Sequence, residues 1–155
     1  ALFLAIAHHT GLPVGQALLA LVLATWQGSV YNYYYVIKRH SAHGDVTSEV
    51  DQRQMPEPLP GDNRQVLYFL HRFYLLVYWW QDRLAYWLDP AAIRQGDKLT
   101  GGFLTALSVL GLGFQLLAIC LLIWFGEINW VFFYFIAPAT LYALGLIGYR
   151  RFLLV

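Results

Sequence analysis

Two apolar runs near the end of the chain, Gly102 to Phe125 and Trp130 to Tyr149, are separated only by Gly126-Glu127-Ile128-Asn129, and neither carries a formal charge. A helix rises about 1.5 Å per residue and the hydrocarbon core of a bilayer is about 30 Å thick, so roughly 20 such residues cross it. The pair predicts a tight transmembrane hairpin with helices over 102–125 and 130–150. A third run, Pro13 to about Ile37, predicts a further span over 13–37. Pro13 suits its first helical position, where the missing N–H costs nothing. The preceding His8-His9-Thr10-Gly11 reads as a break, which makes Ala1 to Ala7 the tail of a shorter, separate segment.

The segment from Arg64 to Leu88 has a different pattern. Its best apolar stretch, Phe73 to Trp80, is too short to span, and extending it brings in His71, Arg72, Asp82 and Arg83. At about 100° per residue, Arg64, Gln65, His71, Arg72, Asp82 and Arg83 fall within an arc of about 120°. Tyr68, Leu75, Trp79 and Tyr86 share that arc, the rest of the circumference is nearly all apolar or aromatic, and Gln81 is the one misplaced polar residue. The pattern predicts an amphipathic helix over 64–88, lying in the interface with its charged stripe in water. The predicted fold class is therefore an all-α integral-membrane domain, with three transmembrane helices and one amphipathic interfacial helix. A four-helix membrane bundle with a polar interior seam is the alternative.

Basic residues set the orientation. Tyr31, Tyr33, Tyr34 and Tyr35 crowd before Lys38 and Arg39, Arg94 and Lys98 precede the hairpin, and Arg150 and Arg151 follow it, whereas its turn offers only Glu127. These positive ends are expected on the cytoplasmic (cis) side with the C-terminus, and the N-terminus on the trans side. If 64–88 spanned, Lys38 and Arg39 would lie opposite the positive ends of the hairpin. The stretch 38–63 reads as a polar loop carrying Asp45, Glu49, Asp51, Glu57 and Asp62, in which Pro56, Pro58 and Pro60 favour an extended spacer. Asp89-Pro90 reads as an N-cap and first-turn proline, opening a short connecting helix from Pro90 to Gln95 that Gly96 stops.

Composition agrees with this patterning: 59% of the 155 residues are hydrophobic and 12% are charged, against about 25% charged in soluble domains. A net charge of +1 gives no support to nucleic-acid binding. The single cysteine, Cys120, lies inside an apolar run and allows no intrachain disulfide.

Small residues form the clearest constellation. Ala17, Ala20, Ala24 and Gly28 recur at helical spacing along the first span, Gly101, Ser108, Gly111, Gln115 and Ala118 along the second, and Gly145 and Gly148 along the third, where Pro138 predicts a kink. Such stripes let helix backbones approach closely, and Gln115 can bond across an interface. Three seams on so few helices imply that at least one faces another subunit, with internal packing as the alternative. The expected function is a small structural or accessory subunit of a larger membrane complex, with other integral-membrane subunits and lipids as partners.

The competing class is a membrane enzyme or electron-transfer subunit in which His71, Arg72, Tyr78, Asp82 and Arg83 line a lipid, quinone or haem site. An imidazole in an apolar setting suits either haem ligation or proton exchange. The spanning segments contain no histidine to complete bis-histidine ligation, so no cofactor is predicted. His40 and His43 beside Asp45 and Glu49 have metal-compatible spacing, but in a solvated loop with no second cluster, and no metal site is predicted. The adjacent His8 and His9 diverge by about 100° in a helix and do not readily share an ion. Gly111-Leu112-Gly113 is too short for a phosphate loop, Thr105 and Ser108 lack a nearby base, and the spanning runs contain no carboxylate.

Overall fold

The computed structural model describes residues 1–43, 58–59, 61 and 63–153, and every element among them is helical. Val14–Ser41 and Ile128–Phe152 are long and apolar enough to cross a membrane. Gly101–Leu110 and Leu112–Trp124 make a third crossing if this pair, bent by 50°, is taken as one span.

Helix α1 (Leu2–Thr10) runs through His8 and His9, so the predicted break falls later, at Gly11. Nothing in the histidine pair opposes a helix. Gly11 takes the left-handed conformation (φ 69°) that ends one, and the Thr10 hydroxyl donates to the Ile6 carbonyl at 2.7 Å. Helix α2 (Val14–His43) likewise passes the expected boundary at Ile37, because Lys38 to Ala42 favour helix and Gly44 is the first breaker. The predicted loop 38–63 therefore starts later. Asp45, Glu49, Asp51, Glu57, Asp62, Pro56, Pro60 and the side chain of His43 lie outside the described residues.

The amphipathic segment is helical from Arg64 to Leu88, but it is not one regular helix. Helix α3 (Arg64–Tyr74), capped by the Asn63 side chain on Gln65 N and Val66 N, passes through a widened π turn (Leu75–Trp79) into α4 (Trp80–Leu88). One extra residue per turn puts everything after it about 100° out of register. The single charged stripe is thereby broken. Asp82 leaves the arc of Arg64, His71 and Arg72 and turns inward, while Arg83 stays within it. A 3-10 stretch (Pro90–Lys98), kinked at Gln95, follows in place of the predicted short helix.

The hairpin helices are both interrupted. Helix α5 (Gly101–Leu107), capped by Thr100 Oγ1 on Phe103 N, tightens into a 3-10 turn (Ser108–Leu110) and stops at extended Gly111 before α6 (Leu112–Trp124). The turn after α6 carries left-handed Gly126 (φ 77°), with Glu127 N bonded to Leu122 O and Gly126 N to Ile123 O, which satisfies two terminal carbonyls. A 3-10 turn (Ile128–Trp130) leads into α7 (Val131–Ile136), which breaks at Ala137 beside Pro138, the first residue of α8 (Pro138–Leu153).

Helix α2 is the axis of the packing. Its N-terminal half, at Ala17, Ala20 and Ala24, packs with Ile6 and Ala7 of α1, Ile119 of α6, and Val131, Phe132 and Phe135 of α7. Its C-terminal half, at Val30, Tyr34 and Ile37, packs with Ala85, Ala92, Phe103 and Leu107, and with Ala143 and Ile147 of α8. The alanines of the first seam are thus covered within the chain.

Candidate functional site

Polar side chains of α4, α6 and α8 form hydrogen bonds with α2. Gln81, the residue out of place on the amphipathic wheel, is 2% exposed. Its Nε2 donates to Thr25 Oγ1 at 3.3 Å and to Val77 O at 3.0 Å, and its Oε1 accepts from Ser29 Oγ at 3.0 Å. The register shift in the π turn delivers it there, with Ala85 one turn on.

Gln115 on α6 and Gln27 on α2 each bond at one of the two helix breaks. Gln115 Nε2 donates to Leu110 O at 3.1 Å and to Ala24 O at 3.0 Å, tying the break at Gly111 to α2. Gln27 Nε2 donates to Phe135 O at 2.9 Å and to Thr140 Oγ1 at 3.1 Å, beside the break at Pro138. An interrupted helix in lipid leaves backbone groups that only protein can satisfy, and these amides supply the donors. Gly111 serves the break rather than a smooth groove, since a Cβ there would stand 3.0 Å from Ser108 O.

Further along α2, Asp89 and Arg150 form a buried ion pair. Tyr34 Oη donates to Asp89 Oδ2 at 2.8 Å and Tyr33 Oη to Asp89 O at 2.9 Å, while Arg150 Nη2 donates to Gln95 Oε1 at 2.8 Å. Asp89 does occupy the N-cap position before Pro90, but its carboxylate bonds Tyr34 and Arg150 instead of capping backbone N–H groups. By sequence, Arg150 belongs with Arg151 to the positive end of the hairpin. It lies instead on the inward face of α8 with Ala143 and Ile147, and Arg151 reaches Leu88 O at 3.1 Å from the exposed side.

Of the proposed ligand residues, His71, Arg72, Tyr78, Asp82 and Arg83 all lie on the one run Arg64–Leu88 and do not converge from separate elements. The Arg72 guanidinium stands 5.2 Å over the Tyr68 ring and that of Arg83 5.4 Å over Trp79, so both cations pair with aromatics of their own helix. Tyr78 packs with Tyr74 at 5.1 Å between ring centroids. Asp82 is half-buried near Ser29, and burial pushes its carboxyl up, against a hydrogen bond with Ser29 that pulls it down. Among the described residues, no group of three histidine, cysteine, aspartate or glutamate side chains is placed to hold a metal ion.

No family model, curated protein or solved structure matches the chain. Function rests on the geometry.

The inward polar groups could have been found from sequence: Gln81 by its misplacement, and Arg150 by its helical spacing from Ala143 and Ile147. Asp89, Tyr33 and Tyr34 carried no such signal, since an N-cap and an aromatic belt explained them. The interior polar bonds connect helices to one another, and their chemistry is positional. Apolar side chains stay exposed on α2, α3, α6 and the outer side of α8.

Proposed function

We propose that this chain is a small structural or accessory subunit of a larger integral-membrane assembly. In this reading α2 and the two hairpin arms span, the helix from Arg64 to Leu88 lies in the interface, the N-terminus is on the trans side and the C-terminus on the cytoplasmic side. The distribution of lysine and arginine supports the orientation. Other integral-membrane subunits and lipids are the partners.

One observation carries the reading. Leu141, Gly145, Gly148 and Phe152 share one face of α8, opposite the buried Ala139, Ala143, Ile147 and Arg150. A Cβ added at Gly145 or Gly148 would meet nothing within 4 Å. Two glycines flanked by exposed Leu141 and Phe152 form a shallow trough that α1–α7 leave uncovered, and close backbone approach is what drives helix association in lipid.

Gly145→Leu and Gly148→Leu fill the trough without adding a polar group. After extraction of native membranes in mild detergent, each is expected to reduce the particle size and to lose copurifying membrane proteins, while the melting temperature of the chain itself stays near wild type. Unchanged particles in both variants would overturn the subunit reading at this surface.

A further inference from the structure

We infer that the helical run from Arg64 to Arg83 is a binding surface for anionic phospholipid, with Arg64, Arg72 and Arg83 as its headgroup contacts. This surface is distinct from the trough on α8, and the inference rests on the interfacial placement of Arg64–Leu88 in the proposed function, not on the subunit contact at α8.

Helix α3 has no residue buried in the chain. Its apolar side is formed by Val66, Phe69, Leu70 and Phe73, with Phe69 67% exposed and Leu76, in the π turn, 75% exposed. Arg64, His71 and Arg72 occupy the opposite side of the same helix. An amphipathic helix with so much uncovered apolar surface and a cationic opposite face has the form that lies in a lipid headgroup layer.

The charge balance commits the occupant. Between Asn63 and Gln81 the sequence contains no acid, and the two carboxylates that follow, Asp82 and Asp89, are both taken inward. Asp82 leaves the cationic arc through the register shift of the π turn and is half-buried near Ser29; Asp89 is held by Arg150 and Tyr34. Arg64, Arg72 and Arg83 stay exposed, and the last two stand over the rings of Tyr68 and Trp79. A guanidinium on an aromatic face keeps its outer N–H groups free for phosphate oxygens, and the ring beneath suits the depth of the headgroups. With Asp82 half-buried and Asp89 buried, the exposed charge of the segment is that of its arginines, which matches an anionic leaflet better than a zwitterionic one.

The test uses the full chain carrying Cys120→Ser and Phe69→Cys, labelled at position 69 with an environment-sensitive fluorophore and reconstituted in nanodiscs. Quenching by brominated phosphatidylglycerol is compared with quenching by brominated phosphatidylcholine at equal mole fraction. The anionic lipid is expected to win by a few-fold for each arginine engaged, roughly fivefold at most, and molar salt is expected to erase the preference. The triple variant Arg64→Gln, Arg72→Gln, Arg83→Gln should lose the preference, and the corresponding triple lysine variant should keep most of it. Equal quenching by both lipids in the unsubstituted background, or a preference that survives the glutamines, overturns the inference. Absence of quenching by either lipid also overturns it, and assigns the helix to water or to a protein partner.

Discussion

Arg150 and Asp89 are 61 residues apart in the chain, and their side chains meet at 2.5 Å, each 1% exposed. The pair joins the end of α8 to the junction of α4 and the Pro90–Lys98 stretch, and Tyr34 adds α2 through the second carboxylate oxygen. Its desolvation cost is offset by further partners, with Gln95 accepting from the guanidinium and Tyr34 donating to the carboxylate.

Removing one partner should cost more than removing both. Asp89→Ala leaves a buried guanidinium without its counter-ion and is expected to lower stability by about 3–5 kcal/mol. The double variant Asp89→Leu, Arg150→Met removes the unpaired charge and should recover much of that loss. Denaturant unfolding in a fixed detergent measures both. A double variant no more stable than Asp89→Ala would mean that the side-chain hydrogen bonds to Tyr34 and Gln95 outweigh the charge pairing.

Asp82 gives a pH dependence of unusual sign. Burial raises its carboxyl above the ordinary 3.8, against the opposing hydrogen bond with Ser29. The folded protein then holds this proton more tightly than the unfolded chain does, so the site favours folding most at pH below 3.8. That contribution is lost as pH rises through the folded value. At pH 7 the ionised carboxylate opposes the docking of α4 on α2, and Asp82→Asn should raise the melting temperature there. The advantage of the asparagine should shrink as pH falls toward 4. A variant less stable than wild type at pH 7 would show that the interaction of Asp82 with Ser29 outweighs the cost of burial.

The break between α5 and α6 depends on Gln115 and Gly111 together. Gln115→Leu keeps the volume but removes the donor to Leu110 O and Ala24 O, at an expected cost of about 1 kcal/mol. Gly111→Ala brings a Cβ to 3.0 Å from Ser108 O, a backbone atom that moves only if the turn moves. Both variants should melt below wild type in detergent, and amide exchange over 108–116 should rise in each. Unchanged exchange in Gln115→Leu would remove the glutamine from the account of the bend.

The apolar patterning made the helical class, the hairpin turn and the interruption at Pro138 legible, because lipid demands long uncharged runs and proline forbids a regular ladder. The π turn was not legible. Uniform periodicity assumes 100° at every step, so it set Asp82 beside Arg83 in one stripe and left Gln81 unexplained, when a single wide turn accounts for both. The bend at Gly111 was hidden for a similar reason, since an uncharged run long enough to span looks continuous whether or not its ladder is. The ion pair of Asp89 and Arg150 joins distant segments, and neither residue's local surroundings name the other.

The topology gives the most general test, since the proposed orientation depends on which side each turn faces. Lys98 closes the cationic stretch before α5 and is exposed, and Glu127 sits exposed in the turn between α6 and α7. With α5 and α6 crossing as one bent span, the two positions are on opposite sides of the membrane. If the bent pair instead enters and leaves on one side, they share that side, and the freed carbonyl that Gln115 binds would mark a re-entrant loop. Lys98→Cys and Glu127→Cys, each in a Cys120→Ser background, distinguish the two with an impermeant thiol reagent applied to sealed, oriented vesicles. Position 98 is expected to label from the cytoplasmic side alone and position 127 from the other side alone, following the lysine and arginine before α5 and in the last turn of α8. Labelling of both from one face would eliminate the three-span arrangement and leave α2 and Ile128–Phe152 as the helices able to cross.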